Sequence, residues 1–404
     1  MKYIVMLGDG MADYPVPELN NKTPLEVANK PNIDMLASKA VVGMVRTVPE
    51  SMNPGSDVAN LSVMGYDPMK YYTGRSPLET VSMGVKLFDG DISFRCNLVT
   101  LSEDEPYENK VMIDYCSGEI SSKEAAVLVK YLNEKLSGDN FKFYNGISYR
   151  HCMVWNNGEN NLNLTPPHDI SDKVITDYMP RNEFVKSLMK KSYELLKNHP
   201  VNEERIKKGL HPANSIWLWG EGTPAVLPNF KEKYGLSGSV ISAVDLVKGI
   251  GISAGLSSID VEGVTGNVDT NYTGKCNAAI DELLINGKDF VYIHVEAPDE
   301  CGHRGELENK VKSIEFIDKD IVGPLVWAMR KAGEDFSILI MPDHPTPLSV
   351  KTHVRDPIPF VLYRSNKEID SGIKTYNEKT GKSTGIYIDK GYTLMDELLN
   401  KRQA

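Results

Sequence analysis

The sequence predicts an α/β protein in which a central, mostly parallel sheet is flanked by helices and a smaller α+β domain is inserted into the chain. With 404 residues the chain is too long for one simple core, so more than one domain is expected. Apolar runs of strand length alternate with amphipathic stretches of helix length near both ends of the chain. Residues 89–235 differ, because they carry hairpin-like strands, an asparagine-rich loop (156–163) and one long helix (181–198). We therefore expect a discontinuous domain over residues 1–88 and 236–404 and an inserted domain over residues 89–235.

Each strand of the discontinuous domain is predicted from an apolar run. These runs lie at residues 3–7, 41–49, 290–295, 335–345 and 357–363. The last run contains prolines, which lack the backbone N–H that an inner strand donates, so we expect it at an edge of the sheet. Residues 84–101 alternate between apolar and polar side chains, which is more typical of an antiparallel strand.

The helices are predicted from turn residues and amphipathic patterns. The turn "NPG" at 53–55 precedes an apolar helical run, and Ser56 or Asp57 is well placed to cap it. A long amphipathic stretch (306–331) follows the strand at 290–295, and a short helix (393–402) is expected near the C-terminus.

Composition excludes several classes of protein. The formal net charge of -10 argues against general nucleic-acid binding, although a local cationic pocket can still bind small anions. No run of about 18 apolar residues predicts a membrane span, and the N-terminus lacks a signal-peptide pattern. Five scattered cysteines without a C-x-x-C pair indicate neither a zinc knuckle nor a disulfide framework, so we expect a reduced, cytoplasmic protein. These cysteines are Cys96, Cys116, Cys152, Cys276 and Cys301.

Six acidic and imidazole side chains lie at or just after predicted strand ends. They are Asp9, Asp299, His303, Asp343, His344 and His353. Each alone is readily explained as a turn cap, a loop residue or a core histidine. In a parallel sheet, however, the carboxyl ends of the strands form one crevice, where ligands bind. The sequence therefore predicts that these side chains converge at one site.

Charge balance indicates what such a site would hold. Three buried carboxylates repel one another and lose their hydration. Two divalent cations would neutralise them and leave positive charge for an incoming anion. Mixed Asp and His ligands suit Mn²⁺ or Zn²⁺ better than Mg²⁺.

Ser56 has two interpretations. A serine at a helix start is most often a cap, and Asp57 is an alternative cap. The functional interpretation is that its oxygen coordinates a metal and acts as a nucleophile, since a metal can activate a hydroxyl as an adjacent base would. Free backbone N–H groups at the helix start would help to hold a phosphoryl group.

Motifs spread over nearly the whole chain carry a family resemblance. They include "MLGDGMAD" (6–13), "NPGSDVANLSVMGYDP" (53–68), "YTGRSPLE" (72–79), "DISFRCNLVT" (91–100), "YRH" (149–151), "PHDISDK" (167–173), "ISAVDLVKGIG" (241–251), "VEAPDECGHRG" (295–305) and "PDHPTP" (342–347). The chain resembles the archaeal-type cofactor-independent phosphoglycerate mutases of the alkaline phosphatase superfamily. The resemblance implies an alkaline-phosphatase-like catalytic domain and a glycolytic isomerase of the cytoplasm.

The resemblance also implies the roles of individual residues. One metal would take Asp9, Ser56, Asp343 and His344, and the other would take Asp299, His303 and His353. Mn²⁺ is the expected ion, with Zn²⁺, Co²⁺ or Mg²⁺ as alternatives, and bisphosphoglycerate is not required. Ser56 would carry the phosphoryl group while 3-phosphoglycerate and 2-phosphoglycerate interconvert. Asn60 departs from many relatives, which have histidine there.

Substrate contacts are expected mainly from the inserted, cap-like domain. The substrate has a phosphate and a carboxylate, which arginine and lysine recognise. The candidates for these contacts are Arg95, Arg150, His151 and Lys248, while His168 and Asp169 are candidate acid/base residues and Arg75 is interpreted as structural. The partner is thus a small phosphoglycerate, without nucleic acid or membrane, and the oligomeric state is left open.

Three alternatives stay open at this stage. The first is a metal-dependent phosphatase or phosphodiesterase of the same superfamily, because the metal motifs are shared. The others are a different mutase, such as a phosphopentomutase, and a non-catalytic relative that binds metal or phosphate.

Overall fold

The computed structural model describes residues 1–136 and 138–400. Strands are, in chain order, β1 (Lys2–Gly8), β2 (Val41–Val45), β3 (Asp91–Leu101), β4 (Met112–Asp114), β5 (Phe141–Ile147), β6 (Arg150–Asn156), β7 (Ser215–Gly222), β8 (Gly238–Ile241), β9 (Ser257–Ser258), β10 (Phe290–Val295), β11 (Phe336–Met341), β12 (Ile358–Arg364) and β13 (Tyr387–Ile388).

Helices are, in chain order, α1 (Pro24–Val27), α2 (Pro31–Ala37), α3 (Ser56–Val63), α4 (Pro68–Tyr71), α5 (Arg75–Ser82), α6 (Ser122–Leu136), α7 (Glu183–Leu196), α8 (Pro200–Lys207), α9 (Phe230–Tyr234), α10 (Asp245–Ser253), α11 (Tyr272–Ile280), α12 (Ala297–Arg304), α13 (Leu307–Phe316), α14 (Gly323–Ala332), α15 (Glu378–Ser383) and α16 (Leu394–Leu398). Of the C-terminal helix predicted at 393–402, residues 401 and 402 lie outside the described residues. Within the described ranges, no helix is long and apolar enough to cross a lipid bilayer.

The chain divides into two compact units. The first unit contains Met1–Tyr72 and the residues from Val226 onward, and the second contains Thr73–Ala225. These boundaries differ from the predicted 89 and 235. Helix α5 packs against β3 and β7, which assigns the residues before 89 to the second unit. Phe230 stacks on Phe290 with ring centroids 4.7 Å apart, which assigns the residues before 236 to the first unit.

The first unit is built on one mixed sheet with the strand order β13-β2-β12-β11-β1-β10-β8-β9. Strand β1 is parallel to both β10 and β11, and β8 is parallel to β10. All residues of β10 and β11 are buried, which explains their continuous apolar sequences. The apolar side chains of α2, α11 and α14 join this core. The predicted α/β sheet with packed helices is confirmed, and its parallel strands end at one edge.

Strand β12 is not an edge strand, contrary to the prediction from its prolines. It is antiparallel to β11 on one side and to β2 on the other. Pro359 lies opposite Met44 of β2, and its carbonyl accepts a hydrogen bond of 2.7 Å from the Tyr376 hydroxyl. The inner strand therefore accommodates a single missing N–H, and the carbonyl of the same residue is bonded to a side chain.

The second unit has an antiparallel sheet in which β3 is central. Its order is β4-β3-β6-β5, with β7 also paired to β3. Helices α6 and α7 pack against β5 and β7, respectively. The predicted strand 84–101 is shortened to β3, and the predicted helix 181–198 corresponds to α7.

Candidate functional site

Three strand ends of the first unit carry the acidic and imidazole residues. Asp9 follows β1, Asp343 and His344 follow β11, and Asp299 lies in α12, which begins directly after β10. The backbone N–H of Asp9 still donates to the Val295 carbonyl at 2.9 Å, so the ladder between β1 and β10 extends to the site. The parallel strands thus bring together residues that are more than 280 positions apart.

In the described part of the chain, two overlapping groups of residues could each hold a metal ion, because the ligand atoms within each group lie within 4.8 Å of one another. One group is Asp9, Asp343 and His344, and the other is Asp299, His344 and His353. His303 adjoins the second group, with its Nε2 3.2 Å from Asp299 Oδ2 and 2.9 Å from His353 Nε2. All six predicted residues converge, and His344 belongs to both groups.

Gly10 makes this close approach sterically feasible. Its φ angle is 60°, and a Cβ there would lie 2.6 Å from both Asp299 Oδ1 and Thr346 Oγ1. Its N–H donates to Asp343 Oδ1 at 3.1 Å. A side chain at this position would therefore both strain the backbone and fill the site.

The carboxylate of Asp9 is only half satisfied. Its Oδ2 receives a hydrogen bond of 2.9 Å from His294 Nε2, whereas its Oδ1 has no hydrogen-bond partner among the described residues. Burial, reinforced by the charges of Asp343 and Asp299, raises the pKa of Asp9 well above its ordinary value. A cation at Oδ1 would remove both the unsatisfied oxygen and the charge repulsion.

The histidines are oriented with Nε2 toward the carboxylates. His303 Nδ1 lies 3.0 Å from the Lys351 carbonyl, so it is the protonated nitrogen and Nε2 carries the lone pair in the neutral ring. Two facing Nε2 atoms, those of His303 and His353, cannot both hold a proton between them. Burial lowers the pKa of His303, but the hydrogen bond and the charge of Asp299 outweigh burial and raise it to about 9.

The donor set fits divalent cations. Carboxylate oxygens and imidazole nitrogens face one another at a largely buried site. A cation there would take the place of the protons that the raised pKa values of Asp9 and His303 favour, and this mixture of ligands is typical of Mn²⁺ or Zn²⁺. These donor atoms therefore fit a metal centre, in which Asp9, Asp343 and His344 would provide one set of ligands.

Ser56 contacts this cluster directly. Its Oγ lies 3.1 Å from His344 Nε2, and it is the first residue of α3. The N-cap residue is Gly55, which has no side-chain hydrogen bond, so neither Ser56 nor Asp57 is the N-cap of α3. Asp57 instead accepts hydrogen bonds from its neighbour's backbone and from the Tyr72 hydroxyl at 2.7 Å. The Ser56 hydroxyl is thus available for chemistry.

Arg95, a substrate candidate of the second unit, shares a glutamate with Arg75. Glu79 accepts from Arg95 Nε at 2.7 Å and from Arg75 Nε at 2.8 Å, so Arg75 belongs to the same cluster. The guanidinium of Arg95 also lies over the Trp219 ring at 4.0 Å. Burial, together with the charges of Arg75 and Arg150, lowers the pKa of Arg95 to about 10. Several cations share one carboxylate, which leaves net positive charge for an anion.

The other candidates have different environments. Arg150 is exposed beside Tyr149, and His168 and Asp169 are also largely exposed, with His168 Nε2 3.7 Å from Asp169 Oδ1. In the first unit, Lys248 pairs with Asp260 at 2.9 Å.

His151 is buried, in contrast to the exposed Arg150, His168 and Asp169. It is 4% exposed, its Nδ1 accepts from the Gly146 N–H at 3.0 Å, and burial lowers its pKa to about 3. Its Nε2 has no hydrogen-bond partner among the described residues, and its contact with substrate stays a prediction. Residues 151 to 155 of β6 are all buried, so the alternation expected of a half-exposed strand does not apply there.

Sequence reasoning missed two residues that support the acidic and imidazole cluster. His294 lies inside a fully buried strand and bonds to Asp9. Lys310 is 0% exposed and pairs with Asp13 at 2.7 Å, while it also donates to the Thr346 carbonyl at 2.7 Å. The available signal for His294 was a titratable side chain within an apolar run, because buried polar groups need partners.

The chain is similar to known proteins over its full length. The family described as 2,3-bisphosphoglycerate-independent phosphoglycerate mutase matches residues 37–202. A protein of Geobacter sulfurreducens named "Probable 2,3-bisphosphoglycerate-independent phosphoglycerate mutase" is 49% identical over 99% of this chain and 100% of its own length. The mutase of that name from Methanosarcina mazei is 48% identical, with the same coverage of both chains.

Two solved structures share the fold. A protein from Pyrococcus horikoshii is 28% identical, with a TM-score of 0.83 over 100% of this chain and 98% of that one. The cofactor-independent phosphoglycerate mutase from Thermoplasma acidophilum is 25% identical, with a TM-score of 0.65 over 99% of both chains.

Proposed function

The chain belongs to the 2,3-bisphosphoglycerate-independent phosphoglycerate mutase family, and we propose from this premise that it interconverts 3-phosphoglycerate and 2-phosphoglycerate through a phosphoserine at Ser56. It is an isomerase that moves a phosphoryl group within one substrate. The observation that carries the proposal is the hydroxyl of Ser56 3.1 Å from His344, beside the buried carboxylates.

The proposed metal ligands are the acidic and imidazole side chains of the same cluster, together with Ser56. Asp9, Ser56, Asp343 and His344 would hold one ion, and Asp299, His303 and His353 would hold the other. Mn²⁺ is the expected ion because the ligands mix carboxylate and imidazole. When bound, the ions supply positive charge for the phosphoryl group and acidify the nucleophilic hydroxyl. The unpartnered Asp9 Oδ1 and the raised pKa of Asp9 support this assignment.

The second unit would bind the anionic groups of the substrate. Arg95 and Arg150 retain their predicted role as cationic contacts, and Arg75 joins them through the shared Glu79. Planar guanidinium groups suit carboxylate and phosphate, which each offer two adjacent oxygens. Lys248 of the first unit remains a further candidate contact.

The proposed transfer of the phosphoryl group takes place in two steps, and each step forms one bond to phosphorus and breaks another. In the first, Ser56 Oγ loses its proton and bonds to phosphorus, the bond from phosphorus to the C3 oxygen breaks, and that oxygen takes up a proton. In the second, the C2 hydroxyl loses its proton and bonds to phosphorus, while the bond to Ser56 Oγ breaks and the serine is reprotonated. Glycerate stays bound in between. The exposed His168 and Asp169 are candidate proton carriers.

Backbone N–H groups at the start of α3 would assist both steps of the phosphoryl transfer. The Val58 N–H donates to Asp57, but the N–H groups of Ser56 and Asp57, the first two residues of the helix, have no intrahelical acceptor. They would stabilise the negative charge of the phosphoryl oxygens during transfer. The serine would therefore combine the nucleophile with part of the anion-binding site.

The decisive experiment separates a mutase from a hydrolase. The metal-stripped protein is reconstituted with Mn²⁺ and given 3-phosphoglycerate without bisphosphoglycerate, and two products are followed. Enolase-coupled formation of phosphoenolpyruvate reports mutase activity, and free phosphate reports hydrolysis. We expect phosphoenolpyruvate to form much faster than phosphate. Phosphate release as the main reaction would favour a phosphatase of the same superfamily instead.

A further inference from the structure

We propose that Tyr292 and His294 of β10 are positioning residues that hold Asp343 and Asp9 in the orientation needed to bind metal. Residues two apart on a strand lie on the same face, and both side chains are 0% exposed. The inference rests on the metal centre of the proposed function and adds to it a layer of residues that do not touch the ions.

His294 holds Asp9 through a continuous chain of hydrogen bonds. The Val244 N–H donates to Ser242 Oγ at 2.9 Å, and Ser242 Oγ lies 3.1 Å from His294 Nδ1. The carboxylate of Asp9 accepts at the other side of the ring, so Nδ1 carries no proton and accepts from the Ser242 hydroxyl. The proton of the neutral ring is then on Nε2, which donates to Asp9 Oδ2 at 2.9 Å. Asp9 Oδ1 is left facing the other ligands.

Tyr292 reaches Asp343 through Asn60. Its hydroxyl donates to Asn60 Oδ1 at 2.6 Å, which fixes the orientation of the amide. Asn60 Nδ2 then donates to Asp343 Oδ2 at 2.9 Å and to the Ser56 carbonyl at 2.8 Å. The same amide therefore ties the start of α3, where the nucleophile lies, to a ligand carboxylate.

The two contacts act on the two carboxylates of one ligand group. Asp9 and Asp343 are buried with His344, and their ligand atoms lie within 4.8 Å. Asp9 is held by Oδ2, so it loses less rotational freedom when Oδ1 binds a cation. Asp343 is held by both oxygens, because its Oδ1 also accepts from the Gly10 N–H. Loss of such outer hydrogen bonds typically weakens metal affinity about 10–100-fold.

The test is calorimetric titration of Mn²⁺ into the metal-stripped full chain. Tyr292→Phe removes only the hydroxyl, His294→Leu removes the imidazole bonds, and His294→Gln keeps an N–H donor of similar reach. Tyr376→Phe is the matched control, because it removes another buried tyrosine hydroxyl bond, to the Pro359 carbonyl. Thermal unfolding of each metal-free variant measures the change in stability separately.

We expect the dissociation constant of Mn²⁺ to rise about 10–100-fold in Tyr292→Phe and His294→Leu, and to be largely restored in His294→Gln. Tyr376→Phe should bind as the wild type does. Wild-type affinity in both Tyr292→Phe and His294→Leu would overturn the inference, even if their stability fell. If His294→Leu does not fold, Tyr292→Phe alone decides. A wild type that binds no Mn²⁺ would refute the metal centre itself, which is a separate failure.

Discussion

Ser56 Oγ and His344 Nε2 lie 3.1 Å apart, although 288 positions separate the two residues in the sequence. The contact joins the start of α3 to the end of β11, and Asn60 spans the same two elements through Ser56 and Asp343. The proposed nucleophile and the cluster of proposed metal ligands come from distant segments and are thus held together by specific bonds.

Replacing Asp9 by asparagine should change stability in opposite directions without and with metal. The pKa of Asp9 is raised by burial, Asp343 and Asp299, so the stability of the metal-free protein falls as pH rises from the unfolded pKa through the folded one. Asp9→Asn removes this loss and should raise the melting temperature in EDTA at pH 7. Added Mn²⁺ at about 100 times its dissociation constant should stabilise the wild type by about 2.7 kcal/mol, and the variant far less.

Thermal unfolding with EDTA or Mn²⁺ measures both effects. Asp335→Asn, at an exposed position before β11, is the control and should respond to Mn²⁺ as the wild type does. An equal response of Asp9→Asn to Mn²⁺ would show that Asp9 is not a ligand.

Replacing Arg95 by glutamine should lower kcat/KM for phosphoglycerate about 10–100-fold. A hydrogen bond to a charged group contributes about 1.5–3 kcal/mol, and Arg95 is one of the cations around Glu79. Arg95→Lys keeps the charge but loses the planar fork, so its value should be intermediate. Steady-state kinetics with the exposed control Lys207→Gln checks this. An unchanged kcat/KM in Arg95→Gln would remove the residue from the binding site.

Acid should destabilise the second unit through Glu79. Burial opposes its ionisation, but Arg95 and Arg75 hold the pKa of Glu79 below its ordinary value of 4.5. Its contribution to stability is therefore present above the unfolded pKa and is lost as pH falls through the lower folded pKa. Glu79→Gln should flatten this part of the pH profile.

Urea unfolding followed by tryptophan fluorescence measures the profile. Trp155, Trp217 and Trp219 lie in the second unit, so the signal comes mainly from there. The same acid dependence in Glu79→Gln as in the wild type would assign the effect to other groups.

Replacing Lys310 by methionine should destabilise the first unit by about 3–5 kcal/mol, because it leaves the charge of Asp13 buried without its partner. Lys310 also bonds to the carbonyl of Thr346, two residues beyond His344, so Mn²⁺ binding should weaken as well. Denaturant unfolding of Lys310→Met and of Lys312→Met, half-exposed on the same helix, makes the comparison. Equal stability of the two variants would contradict the structural role.

The sequence predicted the ligand cluster because the relevant strands are parallel and fully buried. Apolar runs that end in Asp9 or in Asp343 and His344 place their next residues at one edge, whatever the details of packing. The positions of Asp9, Asp343 and His344 needed only this topology, whereas Asp299 and His303 lie in α12 and His353 lies in the loop before β12. Ser56 also followed from its position at a helix start.

Other features depend on tertiary contacts that no local pattern carries. The burial of His151 arises because both faces of β6 are covered. The inner position of β12 depends on its pairing with β2 across the sheet, and the capping of α3 by Gly55 depends on backbone conformation alone. The link between His294 and Asp9 requires the register that places Leu7 opposite His294.

The most direct test of the phosphoserine mechanism is mass spectrometry of protein quenched in acid during turnover of 3-phosphoglycerate with Mn²⁺. We predict a phosphoryl group on Ser56 in the wild type, and in Ser56→Ala a loss of mutase activity of at least about three orders of magnitude. Ser51→Ala, an exposed serine shortly before the helix, should behave as the wild type. A phosphoryl group on a different residue, or full activity in Ser56→Ala, would contradict the account.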